Sequence, residues 1–252
     1  MFKIPIKDSV VFITGANRER GIGRALVEEA IKRGAKKVYA TARQISQLDD
    51  LVKKFQGKVI AVELDVTNKE QIQKVAQNAN DTQILINNAG VAENSGCVYN
   101  YDEETARQEM EVNYFGPLHL MKAFSKSLIK NNNFAIVNII SIAGLYPSPN
   151  HITYAASKAA LHSLTRAVRI ELIRQHSIPV FGVYPGPIDT DMSDDMKIKK
   201  ESPANVALRV FDGMEQGILE ITTDALSDSF VSFLKIDRQA IEEAKKVYST
   251  EN

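Results

Sequence analysis

Tyr154 and Lys158 stand four residues apart in the run YAASK. On a helix that spacing places a phenol and an ammonium on one face, one turn apart. The pair is short enough to arise by chance, so its meaning depends on its surroundings. Ser141 lies 13 residues upstream, at the end of an apolar run, and Asn113 lies inside a long helical pattern before that. A second set of residues carries a different chemistry. Gly15, Gly21 and Gly23, with Asn17 and Ile22 in the same loop, fall between the apolar run 9–14 and the helical pattern 22–34. Backbone N–H groups at such a helix start favour a phosphate, and glycine lets a pyrophosphate approach. A loop that follows a first strand and opens a first helix has the position of a dinucleotide fingerprint.

The end of the second apolar run bears on which dinucleotide. A carboxylate there would hydrogen-bond the adenosine ribose. Instead the chain reads Tyr39-Ala40-Thr41-Ala42-Arg43, and Arg18 and Arg20 add two guanidiniums in the first loop. A guanidinium holds a phosphate through bidentate, charge-assisted bonds. The expected cofactor is therefore NADP(H), with NAD(H) as the alternative. The competing reading of the three arginines is a solvated surface, where most arginines sit.

The elements that must position these residues alternate along the chain. Apolar runs at 36–41, 58–64, 82–87, 134–141, 178–186 and 218–223 join the first run at 9–14 as seven strand candidates. Their β-branched content suits buried strands. Helical spacing occupies 22–34, 45–55, 68–78, 103–130, 153–174 and 203–216, with Asn68 and Ser202 as caps and Pro203 at a first helical position. Gly116-Pro117 marks a kink or break in the long pattern. Strands alternating with helices predict a doubly wound, parallel, seven-stranded α/β sheet of Rossmann type, as one domain over 1–252. The polar runs NNAG (87–90) and PGPIDT (185–190) fall at strand ends, where open α/β sheets bind ligands.

Composition narrows the function classes. The chain has 252 residues, 44% hydrophobic and 25% charged, which is globular rather than disordered. Lys plus Arg and Asp plus Glu are both 31, so no basic excess points to nucleic acid. Cys97 stands alone, which excludes an internal disulfide and a thiolate cluster. No apolar run approaches the roughly 18 residues of a membrane span, and MFKIPIKDS is too short a start for a signal peptide. A cytoplasmic protein is the expectation. Histidines 119, 151, 162 and 176 show no ligand spacing, so no metal is expected. His151 is a candidate for the pocket or a surface loop.

Taken in order, TGANRERGIG, Asp65-Val66, NNAG, Asn113, Ser141, YAASK and PGPIDT resemble the short-chain dehydrogenase/reductase family in its standard form, over roughly residues 8–216. The resemblance implies hydride transfer between a nicotinamide and a small ketone or aldehyde and its alcohol, as in a carbonyl reductase. It implies Tyr154 as general acid/base, with the Lys158 ammonium favouring the phenolate and holding the nicotinamide ribose. Ser141 would donate to the substrate oxygen. Asn113 would bend its helix and hold a water beside Lys158. Asp65 and Val66 would meet the adenine, and Asn88, Ala89 and Gly90 the adenosine side, while Asn87 braces strands. Pro185, Gly186, Ile188 and Thr190 would border the nicotinamide. Two alternatives stay open: an NAD-dependent alcohol dehydrogenase, and a redox sensor that binds NADP(H) without turnover.

The sequence departs from the family pattern in two places. Five residues, 16–20, separate Gly15 from Gly21, a longer loop than is usual. The C-terminal tail, 224–252, also differs, so a tetramer is not implied. A homodimer through the helices at 103–130 and 153–174 is expected, with small residues Ala155, Ala156, Ala159 and Ala160 at the contact. The polar segment 188–201, with Met192, Met196 and Ile198 as its apolar points, reads as a substrate lid or a solvated loop. Val91, Glu93, Leu145, Tyr146 and Tyr184 are further pocket candidates. None of them identifies a substrate.

Overall fold

Strands β1 (Val10–Ile13), β2 (Lys37–Ala42), β3 (Val59–Glu63), β4 (Ile84–Asn87), β5 (Ala135–Ile139), β6 (Val180–Tyr184) and β7 (Glu220–Thr222) form one parallel sheet. Their spatial order is β3-β2-β1-β4-β5-β6-β7. This is the computed structural model of the chain, and it describes residues 2–93, 98–99, 101–130, 134–147, 149–194 and 197–230. Every residue of β1, β4, β5 and β6 is buried. Both faces of these strands are covered, which is why they read as continuous apolar runs rather than alternating ones. Strand order reverses between β1 and β4. The crevice at such a switch point lies outside the carboxyl ends of the strands, where the polar motifs fall.

Two apolar layers cover the sheet. On one face, Val11 and Ile13 pack with Leu26, Val27 and Ala30 of α1 (Ile22–Lys32) and with Val206, Val210 and Phe211 of α7 (Pro203–Gln216). On the other, Phe12 packs with Ile72 of α3 (Lys69–Asn78), Phe124 of α5 (Gly116–Lys130) and Leu164 of α6 (Ile152–His176). The alternation of Val11, Phe12 and Ile13 between layers is the period-two geometry of a strand.

Two helical expectations change. The pattern at 45–55 divides into a 3₁₀ turn (Ile45–Leu48) and α2 (Asp49–Lys54). The long pattern does not break at Gly116-Pro117. Helix α4 (Glu103–Met110) passes through a π-helical turn (Glu111–Phe115) into α5. Pro117 lacks an N–H and its ring crowds the carbonyl four residues back, that of Asn113. A widened turn accommodates both. After β7 comes α8 (Ala225–Ser229), capped by Asp224, whose carboxylate accepts the Ser227 N–H at 2.9 Å. The tail beyond 230 and Met196 lie outside the described residues.

A buried polar group joins β6 and β7 to α6. Arg169 Nε donates to the Val180 carbonyl (2.6 Å) and Nη1 to Glu220 Oε1 (2.5 Å). The Tyr184 hydroxyl donates to Glu220 Oε2 (2.7 Å), with His162 Nδ1 2.9 Å from the same hydroxyl. Tyr184 is fully buried. It therefore belongs to this network and does not line a pocket, which corrects the expectation above. Replacing Arg169 by Met leaves Glu220 buried without its cation. We expect a loss of about 3–5 kcal/mol, read as a lower urea midpoint with an unchanged slope.

Candidate active site

The first loop is built around glycines that admit no side chain. Gly15 has φ +69°, and a Cβ there would lie 2.9 Å from Ala89 Cα. A Cβ on Gly23 would overlap the Gly15 carbonyl and approach Asn88 Nδ2 to 2.5 Å. Helix α1 thus starts directly against the end of β1. Gly21 differs from the other two. It is the N-cap of α1 in extended conformation, and its N–H donates to the Arg18 carbonyl at 3.0 Å. A Cβ on Gly21 would lie 2.9 Å from that same carbonyl oxygen. The tight turn from Arg18 to Gly21 therefore accounts for this glycine and uses its N–H. Gly21 thereby shapes the loop that closes onto α1.

Thr14, which the sequence reading did not single out, holds the junction of β1 and β4. Its Oγ1 accepts the N–H groups of Asn88 and Ala89, both at 2.9 Å. Asn88 Nδ2 donates to the carbonyls of Thr14 (2.9 Å) and Gly15 (3.0 Å). The Asn88 side chain is therefore a brace for the loop. Asn87, as expected, links strands: its Nδ2 donates to Asn138 Oδ1 at 2.7 Å. Asn17 and Ile22 are partly buried in the loop.

The three arginines separate. Arg20 turns away from the glycines toward the segment after β6, with Nη2 2.7 Å from Asp189 and 2.9 Å from Asp194, and Nη1 3.8 Å from Asp191. These carboxylates supply inside the chain the anionic partner that the sequence reading assigned to a cofactor phosphate. Arg18 and Arg43 are exposed, and their side chains have no hydrogen bond or ion pair among the described residues. Arg43 lines a cavity of about 860 Å³ with Asp65 and Thr67 on one side and Gln108, Glu111 and Val112 on the other. Asp65 Oδ1 accepts from the Thr67 N–H (2.9 Å) and hydroxyl (2.7 Å). Val66 is buried, and a Cβ on Gly116 would lie 3.1 Å from its Cγ2.

At the ends of β4 and β5 the structure brings Asn113, Ser141, Tyr154 and Lys158 together. Asn113 is fully buried in the π turn. Its Oδ1 accepts the Val91 N–H (3.0 Å), and its Nδ2 donates to the Val91 carbonyl (2.8 Å) and Ser157 Oγ (2.9 Å). Ser157 Oγ in turn donates to the Tyr154 carbonyl at 2.7 Å. Lys158 Nζ donates to the Ile139 carbonyl (3.0 Å) and lies 5.7 Å from the Tyr154 ring centroid. A Cβ on Gly90 would stand 3.2 Å from Asn113 Oδ1 and 3.4 Å from Lys158 Nζ, so glycine keeps that space open. Ser141 Oγ caps a 3₁₀ turn by accepting the Ala143 N–H (3.1 Å), lies 3.4 Å from the Pro185 carbonyl and hydrogen-bonds the Tyr154 hydroxyl. Gly186 is pinned by its N–H to Asp224 Oδ2 (2.8 Å), a partner that local sequence pattern did not suggest. Ile188 is buried and bridges to Glu201, and the Thr190 N–H donates to the Ile188 carbonyl at 2.8 Å.

Burial governs the two titratable groups. It pushes the Tyr154 phenol up to about 12, against the hydrogen bond with Ser141, and the charge of Glu109 pushes the same way as burial. Burial also pushes the Lys158 ammonium down to about 8. In the chain on its own, desolvation sets the direction of both shifts. Glu109 was not singled out from sequence.

The family model described as short chain dehydrogenase matches residues 9–201. A solved short chain dehydrogenase from Burkholderia cenocepacia J2315, in complex with NADP, is 38% identical, with a TM-score of 0.85 over 96% of this chain and 98% of that one. An uncharacterized oxidoreductase from Staphylococcus saprophyticus is 31% identical over 224 residues, 84% of this chain and 94% of the relative. The 3-oxoacyl-acyl-carrier-protein reductase of Thermotoga maritima is 34% identical over 206 residues, 79% of this chain and 82% of the relative.

The Lys158 shift has a consequence for stability. Its folded value, about 8, lies below the ordinary 10.5. Between those values the unfolded chain binds more protons, so this group makes stability rise with pH across that window. Below it, the buried ammonium costs up to about 3 kcal/mol. We expect the stability of Lys158→Met relative to the parent to be highest below pH 8 and to decline toward pH 10.5. Urea unfolding of the cofactor-free proteins at several pH values measures this. A constant difference would show that Lys158 is not desolvated as described.

Proposed function

The chain belongs to the short-chain dehydrogenase family, oxidoreductases acting on CH–OH or carbonyl groups with NAD(P), and from that premise we propose that it moves a hydride between NADP(H) and a ketone or aldehyde and its alcohol, with Tyr154 as general acid/base. The observation that carries this reading is the convergence of Ser141, Tyr154 and Lys158 beside the space that Gly90 keeps open.

The residues present fit such a cofactor. The close packing that Gly15 and Gly23 allow sets the start of α1 against the end of β1, where its N-terminus would meet a pyrophosphate. Arg43, and Arg18 in the first loop, offer guanidiniums with no partner among the described residues for a 2′-phosphate. The likeness to the Burkholderia protein solved with NADP supports the same choice. Asp65 and Val66 would border the adenine, Ala89 and Gly90 the adenosine side, and Pro185, Gly186, Ile188 and Thr190 the nicotinamide. When bound, the nicotinamide supplies or accepts the hydride.

The chain's own residues handle the proton and the geometry. The Tyr154 hydroxyl gives a proton to the carbonyl oxygen in reduction and takes one from the hydroxyl in oxidation. Ser141 Oγ donates a hydrogen bond to that oxygen and fixes its place. Lys158 Nζ, held by the Ile139 carbonyl, keeps donors for ribose hydroxyls. Asn113 positions the helix turn and the Val91 peptide around them. We further place the protein in the cytoplasm as a homodimer. Ala156 and Ala159 are exposed on α6 and suit such a contact, whereas Ala155 is buried inside the chain.

Two substitutions test the reading. Tyr154→Phe is expected to lower kcat by about 10²- to 10⁴-fold while nicotinamide fluorescence shows unchanged cofactor binding. Retained turnover would remove Tyr154 from its role. Arg43→Ala is expected to weaken NADPH at least about tenfold, about 1.4 kcal/mol, and to leave NADH binding unchanged. Equal losses for both dinucleotides would exclude Arg43 as the phosphate clamp.

A further inference from the structure

Glu109 is an uncommon group to find inside a protein. Its side chain, on α4, is fully buried. Oε1 accepts the backbone N–H of Glu93 at 3.0 Å. Oε2 is buried with no hydrogen-bond partner among the described residues, and no cation pairs with the carboxylate there. A buried carboxylate with an unsatisfied oxygen is costly, and such a group calls for an explanation.

Its surroundings supply one. Glu109 and Asn113 lie four residues apart and hold the same extended segment: Asn113 takes both polar groups of Val91, and Glu109 takes the N–H of Glu93. The segment therefore leaves β4 with its backbone fixed from the α4 side. Helix α4 also packs on α6, which carries Tyr154, and the phenol feels the Glu109 charge.

We propose that Glu109 is a positioning residue of the Tyr154 site, which fixes the 91–93 segment through Oε1 and whose negative charge, buried with α4 against α6, disfavours the Tyr154 phenolate. The inference rests on the assignment of Tyr154 as the acid/base. Three polar groups act on or lie near the phenol: Lys158 from its own helix, Ser141 from the connection after β5, and Glu109 from α4. Ser141 is neutral. Lys158 loses its proton near pH 8, so its opposing charge fades before a phenolate forms. That leaves Glu109 as the charge that matters at the pH where Tyr154 ionises.

Glu109→Gln keeps an acceptor for the Glu93 N–H and removes the charge. Tyrosinate absorbance, taken as the difference between each protein and its Tyr154→Phe counterpart, isolates the ionisation of Tyr154 without any turnover. In Glu109→Gln it is expected to occur at least about 0.5 pH unit lower than in the parent. The upper limb of the pH–rate profile moves with it, a roughly threefold change in phenolate fraction at fixed pH. Glu109→Asp keeps the charge but withdraws it from Glu93, so KM rises while the titration stays close to the parent's. Should Glu109→Gln not fold, Glu109→Met, uncharged and similar in length, is read by the same criterion. An unmoved Tyr154 titration in the uncharged variant overturns the inference and leaves the role of Tyr154 intact. A shifted titration in an enzyme that still turns over as Tyr154→Phe overturns that role while the charge effect of Glu109 stands.

Discussion

One side-chain amide joins the parts of this site. The chain leaving β4 has no further ladder partner, so the N–H and carbonyl of Val91 must be satisfied elsewhere. Asn113 satisfies both and still donates to Ser157, which grips the Tyr154 carbonyl. Sheet end, π turn and helix α6 are thus tied through four hydrogen bonds. The π turn is part of the same constraint. Pro117 cannot follow a regular turn, and widening the helix before it presents Asn113 inward. Without that turn, the Val91 peptide would lose its partners and the Tyr154 backbone its anchor.

Dense packing has an electrostatic result. The interior that orients Tyr154 and Lys158 also penalises their charged forms, and both move toward neutrality. The chain on its own therefore presents a phenol, a group able to give a proton. A cation brought beside it would shift the balance toward the phenolate. Ser141 acts in that direction already, through its hydrogen bond, and Glu109 acts against it. The working protonation of this site is a balance of neighbours, not a property of the Tyr–Lys pair alone.

What was legible in the sequence was what local pattern carries. Strands buried on both faces announce themselves as apolar runs, and all seven lie where those runs stand. Gly15 and Gly23 were readable because a strand-to-helix turn tolerates nothing larger there. Gly21 was readable as a loop glycine, and the Arg18 carbonyl behind it leaves no room for a side chain. The four-residue spacing of YAASK puts Tyr154 and Lys158 on one face once the run is helical. Features that local pattern did not carry depend on distant partners. Tyr184 closes a strand and resembles a pocket residue, but Glu220, 36 positions away, claims its hydroxyl inside the core. Asp224 holds Gly186 across 38 positions. Glu109 sits among polar neighbours in a helical stretch and resembles a solvated face until the 91–93 segment is folded against it. Gly116-Pro117 marked a disturbance correctly, but the sequence could not show that the helix absorbs it one turn earlier.

The longer first loop becomes intelligible in the same way. It leads from β1, whereas the segment 189–194 follows β6, and β4 and β5 lie between those strands. The contact of Arg20 with Asp189 and Asp194 therefore passes over the ends of β4 and β5, where Tyr154 and Lys158 gather. The segment is rooted at both ends: the Asp189 N–H donates to the Glu201 carbonyl (2.8 Å) and the Glu201 N–H to the Pro187 carbonyl (2.9 Å). Between those roots, it is the exposed ion pairs to Arg20 that join it to the first loop. Pairs of this kind contribute at most about 1 kcal/mol each, so parting them disturbs no core packing. The five residues between Gly15 and Gly21 and the acidic run after Ile188 are thus two halves of one bridge. Its pairs are exposed side-chain contacts, whereas the roots of the segment are backbone hydrogen bonds.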